Sequence, residues 1–135
     1  MNELPVVLLA EDEEELQHIL QEALRDAGFD FTSAASGEQA VTLLKSGVVH
    51  YRALVTDIKL DGRIDGWEVA RQARLIDPAF PIVYMSGGHA GEWPVQGVPN
   101  SILLQKPFAP AQLVTAISQL LNVGSSMLGP PQPSP

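Results

Sequence analysis

The chain has 135 residues, 45% of them hydrophobic, with no cysteine and a net charge of −8. That length supports one domain with its own core, and the missing cysteines exclude disulfides and thiolate metal sites. Sixteen acidic against eight basic residues, with no Lys/Arg cluster, argue against binding to nucleic acid or to an anionic membrane. No apolar run reaches the roughly 18 residues of a membrane span and no basic segment precedes the first one, so a soluble, cytoplasmic protein is expected.

Strand-like and helix-like segments alternate along the chain, the pattern of α/β units around a parallel sheet. Val6–Ala10 is the first strand. Over Glu13–Ala27, Leu16, Ile19, Leu20, Ala23 and Leu24 recur at three-and-four spacing, which predicts a helix burying that stripe and stopping at Gly28. Phe29–Ala34 reads as the second strand. Ser36 and Gln39 form a capping box for a helix over Glu38–Lys45 that ends near Gly47. Tyr51–Thr56 is the third strand, followed by an Asp- and Gly-rich loop from Asp57 to Ile64.

Asp65 with Glu68 predicts the next helix, closed before Pro78. Pro81–Met85 is the fourth strand, and Ser86-Gly87-Gly88 a turn whose two glycines permit left-handed angles. Between Ala90 and Asn100, Pro94, Gly97 and Pro99 leave room for one or two helical turns in place of a regular fourth helix. Ser101–Leu104 is the fifth strand. The last helix starts near Pro110, with Leu113, Ala116, Ile117, Leu120 and Leu121 on one face. Gly124–Pro135, with four prolines, is expected to be a disordered tail, which leaves residues 1–123 as the domain.

Parallel strands of one sheet bring their carboxyl ends to a common edge, where open α/β sheets place ligand sites. Four of these runs end in polar residues: Glu11 and Asp12, Asp57, Ser86, and Lys106. Two carboxylates crowded at a strand end are unfavourable without a cation, and a hard divalent ion such as Mg2+ relieves that. The other reading of Glu11 and Asp12 is a solvated helix N-terminus, the role assigned here to Glu13, Glu14 and Glu15. Asp57 is either a turn-opening aspartate or a nucleophile that takes up a phosphoryl group with metal assistance. The Ser86 hydroxyl and Lys106 ammonium suit the phosphoryl oxygens. His18 reads as an exposed helix residue, and His50 and His89 have no metal-ligand spacing. Trp67 and Trp93 mark either core or a contact surface, and Trp93 lies in the Pro/Gly-rich stretch.

With these residues in this order, the chain resembles the receiver domain of bacterial two-component response regulators, of the single-domain, CheY-like type, over about residues 5–122. Leu8-Leu9-Ala10-Glu11-Asp12 is similar to the family's acidic pair and Leu54-Val55-Thr56-Asp57 to its phosphoacceptor strand. Met85-Ser86-Gly87 is similar to the hydroxyl site, and Gln105-Lys106-Pro107-Phe108 to the lysine site with its cis Lys-Pro bond. Asp65-Gly66 matches the pair that opens the helix after the phosphorylation loop. The resemblance implies a flavodoxin-like doubly wound sheet of five parallel strands in order 2-1-3-4-5, with helices on both faces. It implies Asp57 as phosphoacceptor, with Ser86 and Lys106 reading the phosphoryl group. It also implies Mg2+ as cofactor, held by Asp12 and Asp57, by Glu11 through water and by the backbone carbonyl of Lys59.

The implied partners are a sensor histidine kinase or histidine phosphotransfer protein and an unidentified output protein. The implied activity is a phosphorylation switch that catalyses only its own phosphorylation and dephosphorylation. Its rivals are a Mg2+-dependent phosphatase or phosphotransferase using aspartyl phosphate and a receiver-like scaffold that is never phosphorylated. The start at Met1 and the Pro-rich end favour a stand-alone relay protein over a receiver cut from a hybrid kinase. Three departures stand out: Leu60-Asp61 replaces a common Met-Pro pair and Gly66 falls one position later than usual; Leu103 stands where the family has an aromatic; and Ala90–Asn100 is irregular.

Overall fold

Along β1 (Val6–Ala10), Leu8 and Ala10 face one side of the sheet and Val7 and Leu9 the other, and all four are fully buried. Burial on both faces is what a central parallel strand requires. β3 (Tyr51–Asp57) and β4 (Ile82–Ser86) repeat it, while β2 (Asp30–Ala34) and β5 (Ile102–Gln105) are less buried, as outer strands. The structure, a computed structural model, describes residues 4–128. The five strands form one parallel sheet in the order β2-β1-β3-β4-β5, the doubly wound order that the resemblance implies.

Alternation along the strands divides the core in two. Leu8, Leu54, Ile82 and Tyr84 pack with α2 (Gly37–Ser46) and α3 (Gly66–Ile76). Val7, Leu9, Val55, Val83 and Met85 pack with α1 (Glu14–Asp26) and α5 (Pro110–Leu128). In α1 the expected stripe is narrower than the sequence suggests. Leu20 and Leu24 are buried and Leu16 packs on the core, but Ile19 is 50% exposed. A 3.6-residue repeat turns it off the face that meets the sheet.

The helix ends follow their caps. Ser36 Oγ accepts from the Gln39 N–H, while Gln39 Oε1 reaches back to Ala35 N–H rather than to that of Ser36. Asp65 Oδ1 accepts from Glu68 N–H, but the Glu68 carboxylate turns to Arg71 and Gln72 and closes no box. Gly87 and Gly88 permit left-handed angles but do not use them. Ser86 Oγ supplies the turn instead, accepting from Gly88 N–H at 3.2 Å and His89 N–H at 2.7 Å.

A 3-10 turn (Ala90–Glu92) and a four-residue α4 (Trp93–Gln96) occupy the irregular stretch, within the one or two turns expected there. α5 reaches Leu128 and so includes the first residues assigned to the tail, 124–128. The rest of that tail, residues 129–135, lies outside the described residues. Among the described residues, no helix is long and apolar enough to cross a membrane.

Candidate functional site

The register brings the functional side chains together. Ala10 pairs with Thr56, Asp57 with Met85, and Ser86 with Gln105, so β1, β3, β4 and β5 end at nearly one level. The ladder continues past the strand ends through Glu11 N–H to Ala34 O, Ile58 N–H to Met85 O, and Lys106 N–H to Ser86 O at 2.7 Å. These bonds fix the backbone beside each polar residue. The Lys106–Pro107 bond is cis.

Lys106 joins two of the carboxylates, with Nζ 3.0 Å from Asp57 Oδ2 and 3.2 Å from Glu11 Oε1. Burial alone would lower the ammonium's pKa, but hydrogen bonding to Asp57 and the charges of Asp57 and Glu11 outweigh it and raise it above the ordinary value. Glu11 is fully buried, and burial, reinforced by the Asp57 charge, pushes its carboxyl up to about 7 against the pull of the Glu13 N–H and Lys106. Both of its oxygens are engaged, Oε1 by Lys106 and Oε2 by Glu13 N–H. Asp12 Oδ2 accepts from Asp61 N–H at 3.2 Å.

Glu11, Asp12 and Asp57 each offer a carboxylate oxygen within 4.8 Å of the others. Three carboxylates against one lysine leave negative charge that a hard cation neutralises, and an all-oxygen donor set of this size suits Mg2+ completed by water. Glu11, with both oxygens already bonded, is the least available for direct coordination. Asp57 Oδ1 accepts no hydrogen bond among the described residues.

Asp12, Asp57, Lys59, Asp61, His89 and Lys106 line one cleft of about 490 Å³, with Leu60, Gly87 and Gly88. Ser86 is fully buried and lines an adjoining depression that shares Gly87, Gly88 and Lys106 with the cleft. Its oxygen serves the turn, which leaves its own proton to donate. His89 pairs through Nδ1 with Glu92 at 2.8 Å. A second groove, of about 360 Å³, lies at the opposite ends of the strands among Tyr51, Phe80 and Leu120, remote from these groups.

Gly66 is required by close approach. A Cβ there would lie 2.0 Å from the Asp57 carbonyl oxygen, and its N–H donates to Ile58 O at 2.7 Å. Trp67 is core, 3% exposed and tilted against Tyr84 with ring centroids 4.7 Å apart. Trp93 is 36% exposed and donates to Ser101 Oγ. His18 lies exposed beside Glu14, and His50 lines the remote groove. Leu103 packs on the core that contains Tyr84.

Sequence reasoning missed Asp61 and His89 as parts of the cleft and Tyr84 as a support of the segment after β4. Asp61 was visible only as a loop residue and His89 as a loop-end histidine. Tyr84 is the polar aromatic inside an otherwise apolar strand, a signal that a buried hydroxyl needs a partner. It finds one in Val98 N–H at 3.1 Å.

The model of the response regulator receiver domain family matches residues 7–118. A response regulator receiver protein from Sinorhizobium medicae WSM419, known from its crystal structure, is 52% identical and superposes with a TM-score of 0.86 over 89% of this chain and 96% of its own. Response regulator receiver protein CpdR of Brucella abortus is 34% identical over 117 residues, 85% of this chain and 95% of CpdR. Transcriptional regulatory protein CusR of Escherichia coli K12 is 29% identical over 90% of this chain, which spans about half of that longer protein, 53%. The chain belongs to the receiver domain family of two-component response regulators.

Proposed function

We propose that the chain is a phosphorylation switch in which Asp57 accepts a phosphoryl group from a phosphohistidine of a sensor kinase or histidine phosphotransfer protein. The observation that carries this reading is Lys106 Nζ, which bridges Asp57 Oδ2 and Glu11 Oε1 at the edge of the acidic cleft. A lysine there orients the acceptor carboxylate, leaves Oδ1 open, and is in place to pair with a phosphoryl oxygen once the acceptor is modified. Transfer forms an Asp57 O–P bond as the partner's N–P bond breaks, with the imidazole as leaving group.

Asp12 and Asp57 would hold Mg2+ directly, Glu11 through water, and Lys59 through its carbonyl. Bound there, the ion would neutralise charge on the transferring oxygens. The modified acceptor carries about −1.5 to −2 charges and draws on the Ser86 proton and the Lys106 ammonium. A move of Ser86 would release its oxygen from Gly88 and His89, so the turn and the segment after it would change together. Output is by contact with another protein, in the cytoplasm.

Incubation with acetyl phosphate and Mg2+ should add the mass of one phosphate to the wild type, and Asp57→Asn should abolish that gain. No gain in the wild type would point to a scaffold, and sustained turnover of small phosphate esters to an enzyme.

A further inference from the structure

We propose that Glu38, in the first turn of α2, is a positioning residue that clamps the β3–α3 loop and so sets the geometry of the cation site. The inference rests on the reading of Asp12, Asp57 and Lys59 as that site.

The loop, which runs from Ile58 to Asp65, has Gly62 at φ +96° near its apex. Backbone of that freedom needs an external hold to stay in one conformation. Glu38 Oε2 accepts from Arg63 N–H at 2.9 Å. A Cβ at Gly62 would fall 2.5 and 2.7 Å from the two Glu38 carboxylate oxygens, so the carboxylate sits directly on the loop backbone. One residue earlier in α2, a Cβ at Gly37 would lie 2.2 Å from Ile64 O. The start of α2 and the end of the loop are therefore in contact with room only for hydrogen.

The Glu38 carboxyl is held below its ordinary range, chiefly by the Arg63 N–H and then by its own backbone N–H, with Ile64 N–H adding to these. On the other side of the loop, Asp12 Oδ2 accepts from Asp61 N–H. Residues 61 to 63 are thus pinned between two carboxylates, one from the first turn of α2 and one, a proposed ion ligand, from the β1–α1 loop. Lys59, the proposed carbonyl donor, lies two residues before the first pin. An acidic residue in a first helical turn ordinarily serves the helix dipole alone. The contacts with Gly62 and Arg63 give this one a second task.

Three variants separate the clamp from general support of α2. Glu38→Ala removes the acceptor, Glu38→Gln keeps one, and Ser36→Ala removes the N-cap of the same helix without touching the loop. Titration with MgCl2 by calorimetry and amide exchange of Arg63 in the metal-free protein are the readouts. Glu38→Ala should weaken Mg2+ binding about fivefold, the equivalent of one net hydrogen bond, and speed Arg63 exchange. Glu38→Gln should restore most of both, and Ser36→Ala should lower Tm with Mg2+ affinity unchanged.

Equal loss of affinity in Glu38→Ala and Ser36→Ala would overturn the clamp, as would wild-type affinity and exchange in Glu38→Ala. If the wild type takes up no Mg2+, the functional reading falls. Arg63 exchange then decides the clamp alone, faster in Glu38→Ala if it holds and unchanged if it does not.

Discussion

The end of β3 around Asp57 and the segment after β4 are built from different interactions. Around Asp57, three carboxylates and a lysine meet within a few ångströms, and one of them, Glu11, has no exposure to water. From Gly87 to Asn100 the backbone is held mostly by neutral hydroxyls. Ser86 Oγ takes two N–H groups, Tyr84 Oη takes Val98 N–H, and Ser101 Oγ donates to Val98 O while accepting from Trp93. Arg71 and Arg74 of α3 add longer bonds, of 3.4 Å, to the carbonyls of Gln96 and Asn100. The first region is thus held by charged groups and the second mostly by neutral ones. Ser86 touches both: it lines the depression beside the acidic cleft and its hydroxyl holds the turn after β4.

The sharpest way to break the region around Asp57 is Gly66→Ala. Its Cβ would meet the Asp57 carbonyl oxygen at 2.0 Å and Ile58 Cα at 2.8 Å, both backbone atoms that cannot turn aside. A loss of about 3 kcal/mol is expected, the upper part of the range for overpacking. Denaturant melts should show it, together with loss of phosphoryl uptake by mass.

Glu11→Gln sharpens the contrast through pH. The folded carboxyl titrates at about 7 against an ordinary 4.5. Its contribution to stability is therefore complete below about pH 4.5 and is lost as pH rises through about 7. At about 1.4 kcal/mol per pH unit, the span is worth up to about 3 kcal/mol. In EDTA, the variant should flatten this part of the stability profile and be more stable than the wild type near pH 8. It should also bind Mg2+ more weakly, which calorimetry would detect.

Tyr84→Phe addresses the neutral region. It strands Val98 N–H in a buried place at a cost of about 1–2 kcal/mol. Phosphoryl uptake on Asp57 should stay at the wild-type rate while amide exchange of residues 93–100 accelerates. A change in uptake would show that the two regions are less separate than their bonding suggests.

Legibility in the sequence divides along the same line. Glu11, Asp12, Asp57, Ser86 and Lys106 were readable because each follows an apolar run, and parallel strands carry such positions to one edge. The burial of strands β1, β3 and β4 on both faces was written in their continuous apolar runs. The caps at Ser36 and Asp65 were visible as local patterns, although the reciprocal bonds of their boxes went elsewhere. Differences arose where a side chain found a partner, or a helix a packing face, other than the one the local pattern suggests. The exposure of Ile19 follows from how α1 meets the sheet, and the turn expected at Ser86-Gly87-Gly88 is held by the serine hydroxyl, which accepts from the Gly88 and His89 N–H groups.

By itself the sequence determined the α/β alternation, the five strands and the residue types gathered at their carboxyl ends, because periodicity and composition are local properties. Only the tertiary structure decided that Lys106 would bridge Asp57 and Glu11, that Glu38 would grip Arg63, and that Tyr84 would hold Val98. Each of these contacts joins residues 14 to 95 positions apart. A hydrogen bond over such a span depends on the register and packing of whole elements, and no short window of sequence contains that information.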